Sequence, residues 1–239
     1  MKYVINADDF CGFNNVNQSI VDCFKRGLIS QTTVILTCKD WLEDGIKLLK
    51  DNDLMSNVGL HVSLSRGYPL TEGIKRTNFF NNGWLVNTIL NKKISYFYIS
   101  RKNKKAIMQE IDAQMKLYKE LGFTLMHFDS HGQYHCYPSL YKIFIKTGKK
   151  NGFVSIRLPY QPSSKNLISR FFKNKIIKAF KKNFRTVEYG TLNITNCLNY
   201  DNKSSFELMV HPINNDFHET KVMEIMVEKM GKPISYKEL

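Results

Sequence analysis

Two hydrophobic periods take turns along this chain. Residues 2–7 (KYVINA) form a short apolar run of β character, and 16–26 then set Val16, Ile20, Val21 and Phe24 on one helical face. The β-branched run 32–36 (TTVIL) reads as a strand, and 41–50 carries Trp41, Leu42, Ile46 and Leu49 at helical spacing. Strand character returns at 58–64 (VGLHVSL). The clearest helix is 104–121, with Ile107, Ile111, Met115 and Tyr118 on one side and Gly122 at its end. Strands at 124–128 and 154–158 flank a helix at 140–149, and 206–210 (FELMV) is a strand before a helix at 220–230. Stretches 65–103 and 160–204 show no sustained period and are long for connections, so they carry function or unread structure.

Strand–helix alternation from end to end predicts an α/β fold, a mostly parallel sheet covered by helices. No repeat or composition break divides the chain, so a single domain over 1–239 is expected. With 239 residues, 43% of them hydrophobic, the chain can bury a sizeable core, which excludes wholesale disorder. No stretch approaches the ~20 apolar residues of a membrane helix. Asn6, Asp8 and Asp9 interrupt the first apolar run too early for a signal-peptide core. The five cysteines are scattered without a CxxC pair, which argues against a disulfide framework or a zinc ribbon. A cytoplasmic, reducing location is the expectation.

The net charge of +14 is unevenly spread. Residues 163–185 hold eight Lys or Arg and no acid, and removing those eight from +14 leaves +6 for the rest. Leu167, Phe171, Phe172, Ile176, Ile177, Phe180 and Phe184 sit among them near helical spacing. One reading is an amphipathic helix packed on the body with a solvated basic face. The other is a surface for an anionic partner: a phosphorylated glycan lipid, a membrane or a nucleic acid.

Acids and imidazoles gather at strand ends. Asp8 and Asp9 follow the first run, His61 lies in the third, His127, Asp129, His131 and His135 surround the end of 124–128, and His211 follows FELMV. Loops at the C-terminal ends of parallel strands converge on one face, so these residues can meet. Alternation along HFDSH sets His127, Asp129 and His131 on one side, Phe128 and Ser130 on the other. One or two carboxylates with two or three imidazoles at one sheet mouth read as a divalent-metal site. Burying them unpaired would cost several kcal/mol.

The strings INADDF at 5–10, GLHVSL at 59–64, HFDSHGQYHCYP at 127–138 and ELMVHP at 207–212, with the ending KPISYKEL, resemble the YdjC-like carbohydrate deacetylases, which include chitooligosaccharide deacetylases. Order and spacing match along the whole chain. The resemblance implies a deformed (β/α) barrel of the glycoside hydrolase/deacetylase type and metal-dependent removal of an acetyl group from an N-acetylated sugar. It assigns Asp9, His61 and His131 to the metal, Asp8 to the general base and His211 to the acid. Asp129 would orient a ligand imidazole from behind. His127 and His135 are open between substrate or supporting contacts and a structural role. Arg157 either steers Asp8 or the sugar, or makes a surface salt bridge. Phe10 and Tyr134 are flat surfaces for a sugar ring or core residues.

The implied cofactor is one divalent ion, Zn2+ or Mg2+, with imidazole ligation leaning toward zinc-like ions. The implied partner is an N-acetylated sugar or glycan, with an anionic carrier and peripheral membrane contact through 163–185 compatible with the sequence. No nucleic acid is expected, and self-association is left open. The chain departs from the family pattern in three places. Cys11 stands where glycine is common, Gly132 and Gln133 replace a histidine-rich stretch, and 163–185 is a basic helical insertion. Two other functions compete: hydrolysis of a different ester or phosphoester at the same metal site, and non-catalytic polyanion binding.

Overall fold

The computed structural model describes residues 2–13, 15–88, 90–161, 166–200, 204–212 and 217–239. Residues 163–165 of the basic segment lie outside them. β1 (Tyr3–Phe10) leads into α1 (Val16–Lys25), and β2 (Gln31–Val34) into α2 (Lys39–Asp51). After β3 (Val58–Val62) come α3 (Glu72–Lys75), a hairpin of β4 (Phe80–Asn81) and β5 (Trp84–Leu85), α4 (Lys93–Phe97) and α5 (Arg101–Glu120). Then follow β6 (His127–Ser130), α6 (Tyr141–Lys150), β7 (Ser155–Ile156), α7 (Leu167–Asn183), β8 (Gly190–Leu192), α8 (Ile194–Cys197), β9 (Phe206–Val210) and α9 (Phe217–Met230).

Seven of these strands pair in parallel, in the order β7-β6-β3-β2-β1-β9-β8. Bridges Ser155–Arg185 and Tyr160–Thr191 join the β7 side to the β8 side. The Gln161 N–H donates to Thr191 O at 2.7 Å. The sheet therefore curls until its edges meet, which is the expected deformed (β/α) barrel and leaves few strand groups unpaired. Outside it, α5 buries the predicted face of Ile107, Ile111, Met115 and Tyr118. Each such side chain is worth about 1.5–3 kcal/mol. The Tyr118 hydroxyl bridges Val58 O at 2.7 Å and Leu125 O at 2.5 Å, fixing α5 across the starts of β3 and β6.

The structure shifts one strand. β6 is His127–Ser130 rather than 124–128, because a tight turn in which His127 N–H bonds Leu125 O at 2.6 Å precedes the ladder. Leu125 is still buried, so hydrophobicity alone extended the predicted strand backward. The two unread stretches also acquire elements. α3 and α4 have four and five residues, too few to display a 3.6-residue period. Buried Glu110 of α5 anchors the start of this excursion by accepting from Leu70 N, Thr71 N and Thr71 Oγ1. No helix among the described residues is long and apolar enough to cross a membrane.

Cys11 is the departure with a visible compensation. Its φ of +61° is one that glycine adopts without penalty. Its thiol occupies the space over Gly45 of α2, where a Cβ would collide with Sγ. Glycine at 45 thus makes room for the side chain at 11.

Candidate metal centre and active site

A regular strand would send Asp8 and Asp9 to opposite faces. β1 avoids this by a bulge: Ala7 and Phe10 pair with Thr32 and Val34, one residue more on β1 than on β2. Asp9 takes φ +68°, a left-handed conformation that aspartate tolerates better than most residues. The turn is closed by Gly12 N–H to Asp9 O at 2.7 Å, and a Cβ at Gly12 would lie 2.9 Å from that oxygen. The two acids therefore sit within the end of β1, not after it, and both are buried.

His61 and Asp129 are register partners across β3 and β6. His61 Nδ1 lies 2.5 Å from Asp129 Oδ1, with Thr33 Oγ1 at 3.2 Å. That contact commits Nδ1 and turns Nε2 toward Asp9 Oδ1 at 3.3 Å and Asp8 Oδ2 at 3.9 Å. His131, one residue beyond β6, brings Nδ1 to 3.0 Å from Asp9 Oδ1. Ligand atoms of Asp9, His61 and His131 all lie within 4.8 Å of one another, as do those of Asp8, His61 and Asp129. Burial alone would lower the His61 pKa, but Asp129 and Asp8 raise it well above 6.5. The carboxylates around Nε2 thus call for positive charge there, and one carboxylate with two imidazoles is a donor set that suits a divalent ion.

The surface-salt-bridge reading of Arg157 is corrected: the side chain is fully buried. Its Nη1 and Nη2 donate to Asp8 Oδ2 and Oδ1 at 2.6 and 2.5 Å, Nε donates to Glu207 Oε1 at 2.7 Å, and Nη2 lies 2.8 Å from Asp129 Oδ2. Burial opposes the charge on Asp8, but Arg157 and then His61 outweigh it and hold the carboxyl at about 2. Burial likewise opposes the charge on Asp9, and hydrogen bonds from His131 and His61 keep it well below the usual carboxylate range.

Glu207 and Tyr236 are the residues the sequence reading missed. The Tyr236 hydroxyl donates to Glu207 Oε2 at 2.7 Å, and its backbone N–H donates to Gln31 Oε1 at 3.1 Å. Gln31 Nε2 donates to Asn6 Oδ1 at 2.9 Å, and Asn6 Nδ2 to Asp8 Oδ1 at 2.6 Å. With Arg157, these bonds form a closed buried ring beneath Asp8. The signal for Glu207 lay in the alternation of FELMV. Phe206, Leu208 and Val210 share one face, so Glu207 shares the other with Met209, which lines the cleft.

Burial pushes Glu207 up to about 7 from its ordinary 4.5, with Arg157 opposing and Asp129 adding to the rise. A carboxyl raised on folding stabilises the fold below its unfolded value and loses that contribution as pH climbs through its folded value. Glu207→Gln should therefore gain on the wild type in stability as pH rises from about 4 to 8, by on the order of 3 kcal/mol. Denaturant titrations of both proteins across that window test the sign.

Asp8, Asp9, His61, His131 and His211 line one cleft of ≈ 410 Å³, with Tyr160 and Met209 at its side. His211 follows β9 directly, and its backbone N–H donates to Glu219 Oε2 of α9 at 2.6 Å. His127 and His135 do not reach this cleft. His127 stacks on Tyr236 with ring centroids 3.9 Å apart and holds Ser155 Oγ at 3.1 Å. His135 bonds Ser130 Oγ at 2.7 Å and lies between Phe144 and Phe180. Burial and the Arg157 charge push His127 well below its ordinary pKa and His135 to about 3, so both are neutral core groups. Phe10 and Tyr134 are core residues as well.

The family model described as YdjC-like protein matches residues 2–228. A carbohydrate deacetylase of Vibrio parahaemolyticus is 30% identical over 151 residues, 63% of this chain and 57% of that protein. One from Thermoanaerobacter pseudethanolicus is 26% identical over 228 residues, 89% of this chain and 81% of that protein. Carbohydrate deacetylase 1 of Listeria innocua is 28% identical over 158 residues, and the chain spans 60% of its length. Among solved structures, an Enterococcus faecalis V583 protein with a provisional description as a cellobiose-phosphate cleavage protein superposes with a TM-score of 0.77 at 18% identity, over 99% of this chain and 98% of that one. A Streptococcus mutans CE4 esterase gives a TM-score of 0.52 at 10% identity, over 98% and 84%. These two likenesses are of fold.

Proposed function

This chain belongs to the YdjC-like protein family, and we propose that it is a metal-dependent hydrolase that removes the acetyl group from an N-acetylated sugar. The observation that carries this reading is the meeting of Asp9, His61 and His131 within 4.8 Å, beside Asp8 in a cleft shared with His211. The relatives named carbohydrate deacetylase support the substrate class.

Asp9, His61 and His131 would hold the ion, Zn2+ or Mg2+, with the imidazoles favouring zinc. When bound, the ion supplies a Lewis acid that activates water and offsets the charge growing on the acetyl oxygen. Asp8 accepts the proton from the attacking water. Held at about 2 by Arg157, it is ionised at neutral pH but a weak base, so it would take the proton only from a water acidified by a bound divalent ion. Asp129, bonded to His61 Nδ1, fixes that ring's tautomer so that Nε2 keeps its lone pair for the ion. His211, at the same cleft, gives a proton to the departing sugar nitrogen. Glu207 and Tyr236 hold Arg157 and through it Asp8. The reaction needs water to enter the cleft over this hydrogen-bonded floor, in the cytoplasm.

Incubation with short N-acetylglucosamine oligomers should release acetate and free amine in equal amounts. A chelator should abolish release, and added Zn2+ or another divalent ion should restore it. Phosphate or another acid released from ester substrates, with no acetate from any N-acetyl sugar, would overturn the reading.

A further inference from the structure

Among the described residues, six of the nine large exposed apolar side chains are gathered in one place, with Trp84, Val154 and Leu198 lying elsewhere. Ile94, Phe97 and Tyr98 at α4 and Leu167, Ile168 and Phe171 at the start of α7 are each between 48% and 69% exposed. The two helices are neighbours: the Phe97 ring lies 5.3 Å from Phe172, and Phe172 lies 5.5 Å from Phe171. The far end of α7 behaves differently, burying Ile176 and Phe180 against the body. The basic helix is thus packed at its C-terminal half and bare at its N-terminal half. Soluble surfaces seldom leave so many large apolar side chains together unless a partner covers them.

The charge around the patch has one sign. Residues 92–105 carry six basic residues and 166–185 carry seven, and neither stretch contains an acid. Lys92, Lys93, Arg170, Lys175 and Lys178 are exposed. Apolar side chains in the middle of a cationic field match a bilayer with anionic headgroups, where the hydrocarbon takes the former and the lipid phosphates the latter. A second copy of the chain would set the same cations against one another.

A groove of ≈ 410 Å³ runs between the two helices, lined by Tyr96 of α4 and by Ser169 and Lys173 of α7. Gln133 and Tyr160 line both this groove and the cleft of Asp8 and Asp9, so the two are adjacent and share a wall.

We propose that the α4–α7 face seats this protein on an anionic lipid bilayer, with the groove leading from the bilayer surface to the carboxylate–histidine cleft. Resting on the deacetylase reading, this makes the substrate an N-acetylated sugar borne on a lipid of that bilayer.

Co-sedimentation with vesicles tests the surface without any activity. The protein should bind vesicles of phosphatidylcholine mixed with phosphatidylglycerol, and bind phosphatidylcholine alone or at high salt much less. The triple variant Leu167→Ser, Ile168→Ser, Phe171→Ser and the charge reversal Arg170→Glu, Lys175→Glu, Lys178→Glu should each weaken binding roughly tenfold or more. Both alter only exposed side chains, and circular dichroism should show the wild-type fold. Absence of binding to the anionic vesicles overturns the proposal, as does equal binding by both variants. So does a concentration-dependent dimer that the serine variant abolishes without any vesicle binding. Vesicle binding with no acetate release from any sugar supports the docking face and overturns the substrate clause alone.

Discussion

Asp8→Asn is expected to keep its metal and lose ~10²–10⁴-fold in turnover, whereas Asp9→Asn should lose affinity for the metal first. The two residues are adjacent, but the bulge gives them different company. Asp8 accepts from Arg157 through both oxygens and from Asn6, so an asparagine there keeps the shape and one acceptor oxygen while its NH2 faces donors. What it loses is the negative charge that makes a carboxylate basic enough to take a proton from water. Asp9 instead faces the two imidazoles, His61 Nε2 at 3.3 Å and His131 Nδ1 at 3.0 Å. A neutral amide in that place removes a negative charge and a good oxygen ligand from the ion site. Excess metal should partly rescue Asp9→Asn and leave Asp8→Asn as it was. Bound metal per chain and acetate release, measured for both variants over a metal titration, separate the roles. Metal lost from Asp8→Asn and retained by Asp9→Asn would reverse them.

Arg157→Met should be the most damaging single change to stability, costing about 3–5 kcal/mol. The arginine is fully buried and contacts Asp8, Asp129 and Glu207 together, none of them more than 3% exposed. Removing it leaves three carboxylates facing one another in a dry interior. Against a total of roughly 5–15 kcal/mol for a native protein, that loss is a large fraction. Arg157→Lys gives a second, folded test. An ammonium keeps the charge but cannot hold Asp8 with two parallel N–H bonds while also reaching Glu207. The lysine variant should fold, unfold at lower denaturant, and show a lower kcat with KM little changed. Wild-type kcat in Arg157→Lys would remove the arginine from the account of Asp8.

The barrel was legible because helix and strand periods alternate over long segments, and the candidate site because its residues cluster at strand ends. Legibility failed where parity or a reversal decides the outcome. His127 shares the inward side with Asp129 but sits one pleat earlier along β6, where it meets Tyr236 instead of the cleft. His135 belongs to the same motif as His131, yet Gly132 at φ +66° and Gln133 at φ +54° reverse the chain between them and return His135 to the core. No local pattern marks such a turn for a glutamine. Arg157 stayed open between steering Asp8 or the sugar and a surface salt bridge because its three acids come from β1, β6 and β9, far apart in sequence. Tyr236 lies in a C-terminal segment with no period at all, and its burial follows from the closed ring and from its stack on His127. The bulge at Asp9 was equally hidden, since an Asp-Asp pair in a regular strand divides between two faces.

The most direct test is the position of the metal itself. Crystals grown with Zn2+ and measured at the zinc absorption edge should show one ion per chain, with Asp9, His61 and His131 ligand atoms roughly 2.0–2.3 Å from it and Asp8 beside it but unbound. An ion held instead by Asp8 and Asp129, or bound away from Asp9, His61 and His131 altogether, would contradict the account.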